Sequence, residues 1–474
     1  MTRKNNRKTL IGLVSLLLIL LLVLSLGCSK VIKIPEKELD YSEETASQTT
    51  EVIIPKDEVK TTITNEYVLP ASEFQGTKTE PDIIHLENNY ISVSLVPNRG
   101  RIIFDYNFKP TGNSEIYSSN SPRPLKVFND YNLEFGGFYL SCPWNSRDRQ
   151  PYEMEYEILK EGPETARVYL WREDPENLLL GEIWVTVNLN SSLVEIKTRL
   201  SNKAKETVNF DFNDYIFMTP GNGFNNSSGL IIPAEKVKIE QSTDNWMGKE
   251  GDIVAWPQSW SEWVNFKHYG MFSVEKNDLL KNYIASVNKD TGDAFIKTWE
   301  PENFYDTIKI WSFGNDYAEV SGASPSVNLE NHSSSLSIKS GEAMEVTTYI
   351  YAVKDLVNIE NADKFFAGYL VADKDNYNVE TDKYINIEFQ IGSSSVKEDL
   401  TKKITLNGQN NNQVLELDNE KLSVLAPSII GKGSLQVDME KTKITPGDYM
   451  IKLELLNDLG EAMFDITSQQ IKIQ

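Results

Sequence analysis

The side chains able to do acid, base or metal chemistry are few enough to take by elimination. Only three histidines occur, His85, His268 and His332, and no HExxH, Cys/His cluster or close histidine triplet accompanies them, so no zinc site is expected. There is no G-x-S-x-G elbow and no P-loop, and Gly221-Asn222-Gly223 alone does not make a phosphate site. Asp373-Lys374-Asp375 opens like a calcium loop, but its sixth position is Asn378 where glycine is needed and its twelfth is Tyr384 where glutamate is needed. Neither metal nor cofactor is expected. The aromatic residues say more. Trp246, Trp256, Trp260 and Trp263, four of nine tryptophans, fall within 18 residues among Gly248, Gly251, Pro257 and Ser259. Such a loop either packs its indoles beneath itself or presents them, and presented indole faces stack on the aliphatic faces of pyranose rings. Trp144, following Cys142-Pro143, could join the same concave face.

The elements that must position these residues are strands. In Glu87 to Tyr106, Ile91, Val93 and Leu95 alternate with Tyr90, Ser92 and Ser94, the period of two that sends successive side chains to opposite faces. Pro97-Asn98-Arg99-Gly100 is turn chemistry, after which Ile102, Phe104, Tyr106 and Phe108 resume the alternation. Strands are also expected at 166–171, 182–189 and 193–198, the last two joined by Asn190-Ser191-Ser192 as a hairpin loop, and near 207–217, 265–274, 294–299, 307–311 and 345–353. Ile359 to Leu370 is expected as a closing helix. The pattern from Pro81 to about Leu370 is that of two large stacked antiparallel sheets.

This region resembles galactose mutarotase-like domains. The resemblance rests on Asn88-Asn89-Tyr90-Ile91-Ser92-Val93-Ser94-Leu95-Val96-Pro97, a tight turn, Gly100-Arg101-Ile102 and a strand ending in Lys109-Pro110-Thr111-Gly112. It extends to Gly136-Gly137 and to Asp316-Tyr317-Ala318-Glu319-Val320-Ser321-Gly322, covering residues 81–368, and implies a β-supersandwich. In sugar mutarotases a histidine protonates the ring oxygen while a carboxylate takes the anomeric proton, so both groups are required. Where those enzymes carry His before two glycines, this chain has Phe135-Gly136-Gly137, so a standard mutarotase is not expected. The resemblance leaves His268 and Glu319 as the candidate acid/base residues. Arg101, beside the turn, would either bridge to sugar hydroxyls or to a carboxylate, or form an ordinary surface ion pair.

The chain ends add context. Arg3, Lys4, Arg7 and Lys8 precede an apolar run from Leu10 to Leu26 and then Gly27-Cys28, the form of a lipoprotein signal in which Cys28 is lipidated; an uncleaved membrane anchor is the alternative. With Cys28 lipidated, Cys142 has no partner among the two cysteines. Residues 29–80 read as a flexible tether with a reach of ~40 Å. After a polar break, alternation at Ile385, Ile387, Phe389 and Ile391 and at Ile451, Leu453 and Leu455 suggests an immunoglobulin-like β-sandwich over 375–474. A formal charge of -22 with no compensating basic stretch excludes nucleic-acid binding.

The sequence thus reads as an all-β, lipid-anchored extracytoplasmic chain: signal 1–28, tether 29–80, mutarotase-like supersandwich 81–370 and immunoglobulin-like module 375–474. Its expected partner besides the membrane is a carbohydrate, bound through Arg101, Trp144, Trp256, Trp260 and Trp263. The alternatives are a carbohydrate-active enzyme, either an aldose epimerase or a glycan-cleaving enzyme, and a non-catalytic envelope scaffold. Replacing Cys28 by Ser is expected to abolish labelling of the chain by a fatty-acid probe in cells; equal labelling of the two forms would reject lipidation.

Overall fold

The computed structural model describes residues 58–64, 82–127, 130–141, 153–160, 162–174, 178–223, 227–258, 269–301, 305–313, 326–410 and 413–474. Cys28, Trp144, Trp260, Trp263, His268 and Glu319 lie outside them. The described chain is all-β and built mainly from antiparallel strands. The first hairpin forms as its alternation requires: in Ile91–Val96 the residues Ile91, Val93 and Leu95 are buried between half-buried serines. Pro97–Arg99 makes a single 3-10 turn, closed by Gly100 at φ 63°, a left-handed conformation that costs a residue with a Cβ more than glycine. Asn88 ties this hairpin down. Its Oδ1 accepts from the Tyr90 and Ile91 N–H groups (both 2.8 Å), and its Nδ2 donates to the carbonyls of Asn188 (2.6 Å) and Ser191 (2.7 Å).

The hairpin belongs to a 12-stranded sheet. From one edge this runs Lys60–Thr64, Ile83–Glu87, Ile91–Val96, Arg101–Phe108, Phe138–Leu140, Asn213–Met218, Ser326–Ser333, Tyr305–Phe313, Gly270–Glu275, Lys236–Ser242 and Ile253–Ala255, with Asn113–Ser114 paired beside Arg101–Phe108. Lys60–Thr64 was expected within the tether; Ile63 instead registers with Ile84, and Val59 beside it is buried. Facing this sheet is an eight-stranded one whose middle is Tyr283–Asn288, Asp293–Trp299, Ala343–Lys354 and Val194–Asn202. One face of each contributes to a common core that includes Ile216, Leu329, Ile310, Phe272, Ile284, Phe295 and Ile350. Each such side chain taken fully from water stabilises by ~1.5 to 3 kcal/mol before the entropy of ordering it is subtracted.

Every residue of Tyr283–Asn288 and of Asp293–Trp299 is buried. The reason is a third layer. Tyr283, Ala285, Ile296, Tyr351 and Val353 pack in a second cluster with Ile359, Ala362 and Ala367, which belong to the following segment. There the helix expected over 359–370 is absent: Asn361–Ala362 and Phe366–Ala372 are strands of a four-stranded sheet with Tyr384–Ser393 and Gly431–Asp438. Phe366 and Leu370 face a separate C-terminal core while Ala367 faces the second sheet, so the start of this strand is buried on both sides and its apolar run imitates helical spacing. The sequence boundary at 370 falls inside it. A five-stranded sheet of Asn376–Tyr377, Ala462–Ile473, Gly447–Leu456, Thr401–Gly408 and Val414–Lys421 completes the C-terminal core. Asp373 serves this turn. It accepts from the Tyr377 hydroxyl (2.7 Å) and from the Asn386 backbone (3.0 Å) and side-chain (2.9 Å) amides.

Two buried polar groupings link the large sheets. Lys297 of the second sheet meets Asp214 of the first at 2.5 Å, both side chains fully buried, and the Tyr305 hydroxyl donates to the other Asp214 oxygen at 2.7 Å. Elsewhere, Asp293 accepts from Thr111 Oγ1 (2.5 Å) and Asn113 Nδ2 (2.7 Å), and the neighbouring Glu115 accepts from the Gly221 N–H (3.2 Å). Burial, then the charge of Asp293, pushes the Glu115 carboxyl well above its ordinary range, so it stays protonated in the folded chain when an exposed glutamate would ionise. The folded state then binds the extra proton, and stability falls as pH rises above the unfolded value of about 4.5. Glu115→Gln, which keeps the shape of the acid, is expected to show a smaller loss of melting temperature than the parent chain between about pH 5 and 8; parallel profiles would reject the shift.

Candidate functional site

The strands of the 12-stranded sheet alternate, so the face opposite the core carries its own set of side chains at i, i+2 and i+4. Phe138, Ile216, Leu329 and Ile310 point into the core. Between them, Tyr139, Tyr215, Glu330 and Lys309 form a cross-strand row, since Tyr139 registers with Tyr215, Tyr215 with Glu330 and Glu330 with Lys309. On one side of that row lie Phe217, Asn328 and Trp311; on the other lie Asn213, His332 and Thr307. Aromatic, amide, imidazole and carboxylate groups are thus gathered on neighbouring strands that are hydrogen-bonded into one sheet.

Their contacts form a connected patch. The Tyr139 and Tyr215 rings stack at 4.8 Å with 10° between their planes, and His332 meets Tyr215 edge-on at 6.0 Å. His332 Nε2 is 2.7 Å from Glu330 Oε2, and Asn328 Nδ2 donates to Glu330 Oε1 at 2.8 Å. Phe217 stacks on Phe313 at 5.9 Å, and Tyr269 packs against Trp311 at 5.6 Å. Among the described residues, nothing hydrogen-bonds the Trp311 indole N–H, Asn328 Oδ1 or Asn213 Oδ1, although all three atoms are buried. Buried polar atoms normally have partners, so a donor and two acceptors without one mark a place where a polar ligand or water belongs. The His332–Glu330 pair can exchange a proton with a bound hydroxyl.

Of the residues singled out in the sequence, Arg101 and Trp256 lie within the described chain. Arg101 is not on the surface: it is 1% exposed, with its guanidinium carbon 4.1 Å above the Tyr139 ring. Gly137 permits this closeness. Its φ is 82°, and a Cβ there would stand 2.6 Å from the Ile103 carbonyl oxygen and 3.4 Å from Arg101 Cδ. Trp256 is only 8% exposed and stacks on the core residue Phe272 at 5.3 Å. Trp246 donates its indole N–H to the Tyr269 carbonyl at 3.2 Å. These two indoles pack beneath the chain, while an edge of Trp256 reaches a cleft of ≈ 850 Å³ that Leu280, Ile231 and Tyr369 also line. His268 and Glu319 fall in segments 259–268 and 314–325; the strand ends flanking these are neighbours, since Gly270 registers with Ser312 and Phe313 with Ser326.

The patch that the sequence reading missed had a signal. Asn328-Leu329-Glu330-Asn331-His332 places Asn, Glu and His at every second position, which sets three polar side chains on one face of a strand. The partners Tyr139 and Tyr215 come from strands far away in the chain, and Trp311 from the strand just before. Among the described residues no three His, Cys, Asp or Glu side chains are grouped so as to hold a metal ion.

No protein-family model and no curated protein matches this sequence. Solved structures do. A TPR-domain containing protein from Parabacteroides distasonis matches with a TM-score of 0.50 at 14% identity, over 63% of this chain and 54% of its own. This chain therefore spans about half the length of that protein. A galactose mutarotase-like protein from Clostridium acetobutylicum matches with a TM-score of 0.42 at 11% identity, over 63% of this chain and 99% of its own. A galactose mutarotase related enzyme from Lactobacillus acidophilus matches with a TM-score of 0.38 at 13% identity, over 58% and 98%. The likeness is one of fold.

Trp256, packed on Phe272, is expected to act on stability. Trp256→Ala should destabilise the chain by ~3 to 5 kcal/mol in denaturant unfolding, as for other large-to-small core changes. A melting point unchanged from the parent would show that the indole is dispensable to the core.

Proposed function

We propose that this chain binds carbohydrate on the outer face of its 12-stranded sheet, as a lipid-anchored extracytoplasmic protein whose C-terminal immunoglobulin-like module is a spacer or docking unit. The observation that carries the binding reading is the unpartnered set on that face: the Trp311 N–H, Asn328 Oδ1 and Asn213 Oδ1, beside the paired Tyr139 and Tyr215 rings. A sugar hydroxyl both donates and accepts, so one class of ligand answers both kinds of orphan atom, while its C–H faces suit aromatic surfaces. Glu330 and His332 add an acceptor and a ring nitrogen at the edge of the same patch. The anchor and its compartment rest on the Gly27-Cys28 junction and the basic, apolar segment before it.

A second reading is favoured by one contact, the 2.7 Å hydrogen bond between His332 and Glu330, in which the carboxylate orients the imidazole for proton exchange with a bound hydroxyl. In that case the protein would interconvert anomers. The two readings separate by experiment. For a binding protein, a glycan-array hit measured by calorimetry should weaken by ~1 kcal/mol in Trp311→Phe, which keeps the ring and loses the N–H, and by ~1 to 3 kcal/mol in Tyr215→Ala. Wild-type mutarotation above the spontaneous rate, lost in Glu330→Gln, would establish the enzyme instead. Absence of any glycan ligand, with no turnover, would leave the scaffold.

A further inference from the structure

The layer between the two large sheets contains reactive groups that the outer-face site does not use. Lys297 Nζ lies 2.5 Å from Asp214 Oδ1, the two residues are 83 positions apart and on opposite sheets, and neither side chain is exposed. The surroundings are largely apolar: the rings of Phe138 and Trp299 are 5.8 and 5.9 Å from the amine. Tyr305 donates its hydroxyl to Asp214 Oδ2 at 2.7 Å. Asn331 is the cross-strand partner of Asp214 and is fully buried, and among the described residues neither its amide nitrogen nor its oxygen has a hydrogen-bond partner.

A separated charge pair in such a layer has lost its hydration, and the mutual attraction offsets that loss only in part. Transfer of one proton from nitrogen to oxygen removes both charges and leaves an amine against a carboxylic acid. Burial favours that state, since it lowers the affinity of Lys297 for its proton, although Asp214 opposes the shift. An amine held in contact with a carboxyl group, with water excluded, has the proximity that turns a slow bimolecular condensation into a fast unimolecular one.

We propose that Lys297 and Asp214 are the site of an intramolecular amide crosslink that joins the two sheets covalently. In the condensation, the Nζ lone pair attacks Asp214 Cγ and the Nζ–Cγ bond forms. Nζ gives up a proton, a Cγ–O bond breaks, and the oxygen departs as water. No electrons are transferred to or from an outside reagent, so no oxidant or co-reactant is required. Tyr305, bonded to Oδ2, is placed to donate to the oxygen on which negative charge develops. Asn331 is the positioning residue: its unpartnered amide gives the layer an acceptor for the new N–H and a donor for the departing water.

The test is peptide mapping of the folded full chain after denaturation and proteolysis. The expected result is a branched peptide containing both Lys297 and Asp214, lighter by one water molecule than its two components, with depletion of the linear peptides. Lys297→Arg and Asp214→Ala should each abolish that species, and Asn331→Ala should slow its appearance in a refolding time course. Quantitative recovery of both linear peptides from the wild-type chain would overturn the proposal without reference to whether any variant folds. A branched peptide linking Lys297 to Asn331, lighter by one ammonia, would also overturn it, because Asp214 would then be the proton carrier and not the acceptor.

Discussion

The meeting of Asp214 and Lys297 between two sheets is the constraint on which the rest of the architecture turns. Both residues sit among apolar side chains in strands whose register brings them together, and a shift of either strand by one residue would turn that side chain away from the inner layer. A buried ionisable pair contributes little net stability compared with a well-packed apolar pair, but leaving one member alone is costly. Its effect is therefore to penalise alternative registers. Tyr106 adds a second crossing: its hydroxyl donates to the Ser192 carbonyl and accepts from the Ala352 N–H at 3.1 Å, so the first hairpin is also tied to the opposite sheet.

Once the two sheets are set face to face, the roles of their outer faces diverge. The second sheet is covered by the segment after residue 356, which is why Tyr283–Asn288 has no exposed position. Ser191 and Ser192 reinforce that attachment, the Ser192 N–H donating to the Ser394 carbonyl at 2.7 Å and the Ser191 hydroxyl at 2.8 Å. The first sheet has the other outcome. Its outer face is lined by tyrosine, tryptophan, asparagine, glutamate and histidine, and it keeps donors and acceptors that the described protein groups do not use. The common core and the proposed recognition surface are thus the two faces of the same strands.

Much of this division was legible in the chain. The alternation around Ile91, the turn ending at Gly100, the hairpin at Asn190 and the alternation of Ile385 to Ile391 each report a strand, because a period of two depends only on local geometry. Even the polar stripe of Asn328, Glu330 and His332 is written there, as alternate positions of one strand. The 359–370 segment shows the limit of such reading. Where a strand is buried on both faces, as at Phe366 to Gly368, the alternation is lost, and nothing local separates it from a short buried helix.

What the sequence by itself determined is the class: an all-β chain with a formal charge of -22 and strands whose period assigns each residue to one face or the other. What only the tertiary structure decided is which faces meet. Tyr139, Tyr215, Glu330 and Trp311 come from four separate strands, and their adjacency follows from sheet order, which alternation within one strand does not encode. The same holds for Trp256 and Arg101, whose types suited a ligand surface. Trp256 meets Phe272 and Arg101 meets the Tyr139 ring of the outer-face row, because long-range contacts, and not residue type, determine what each side chain packs against.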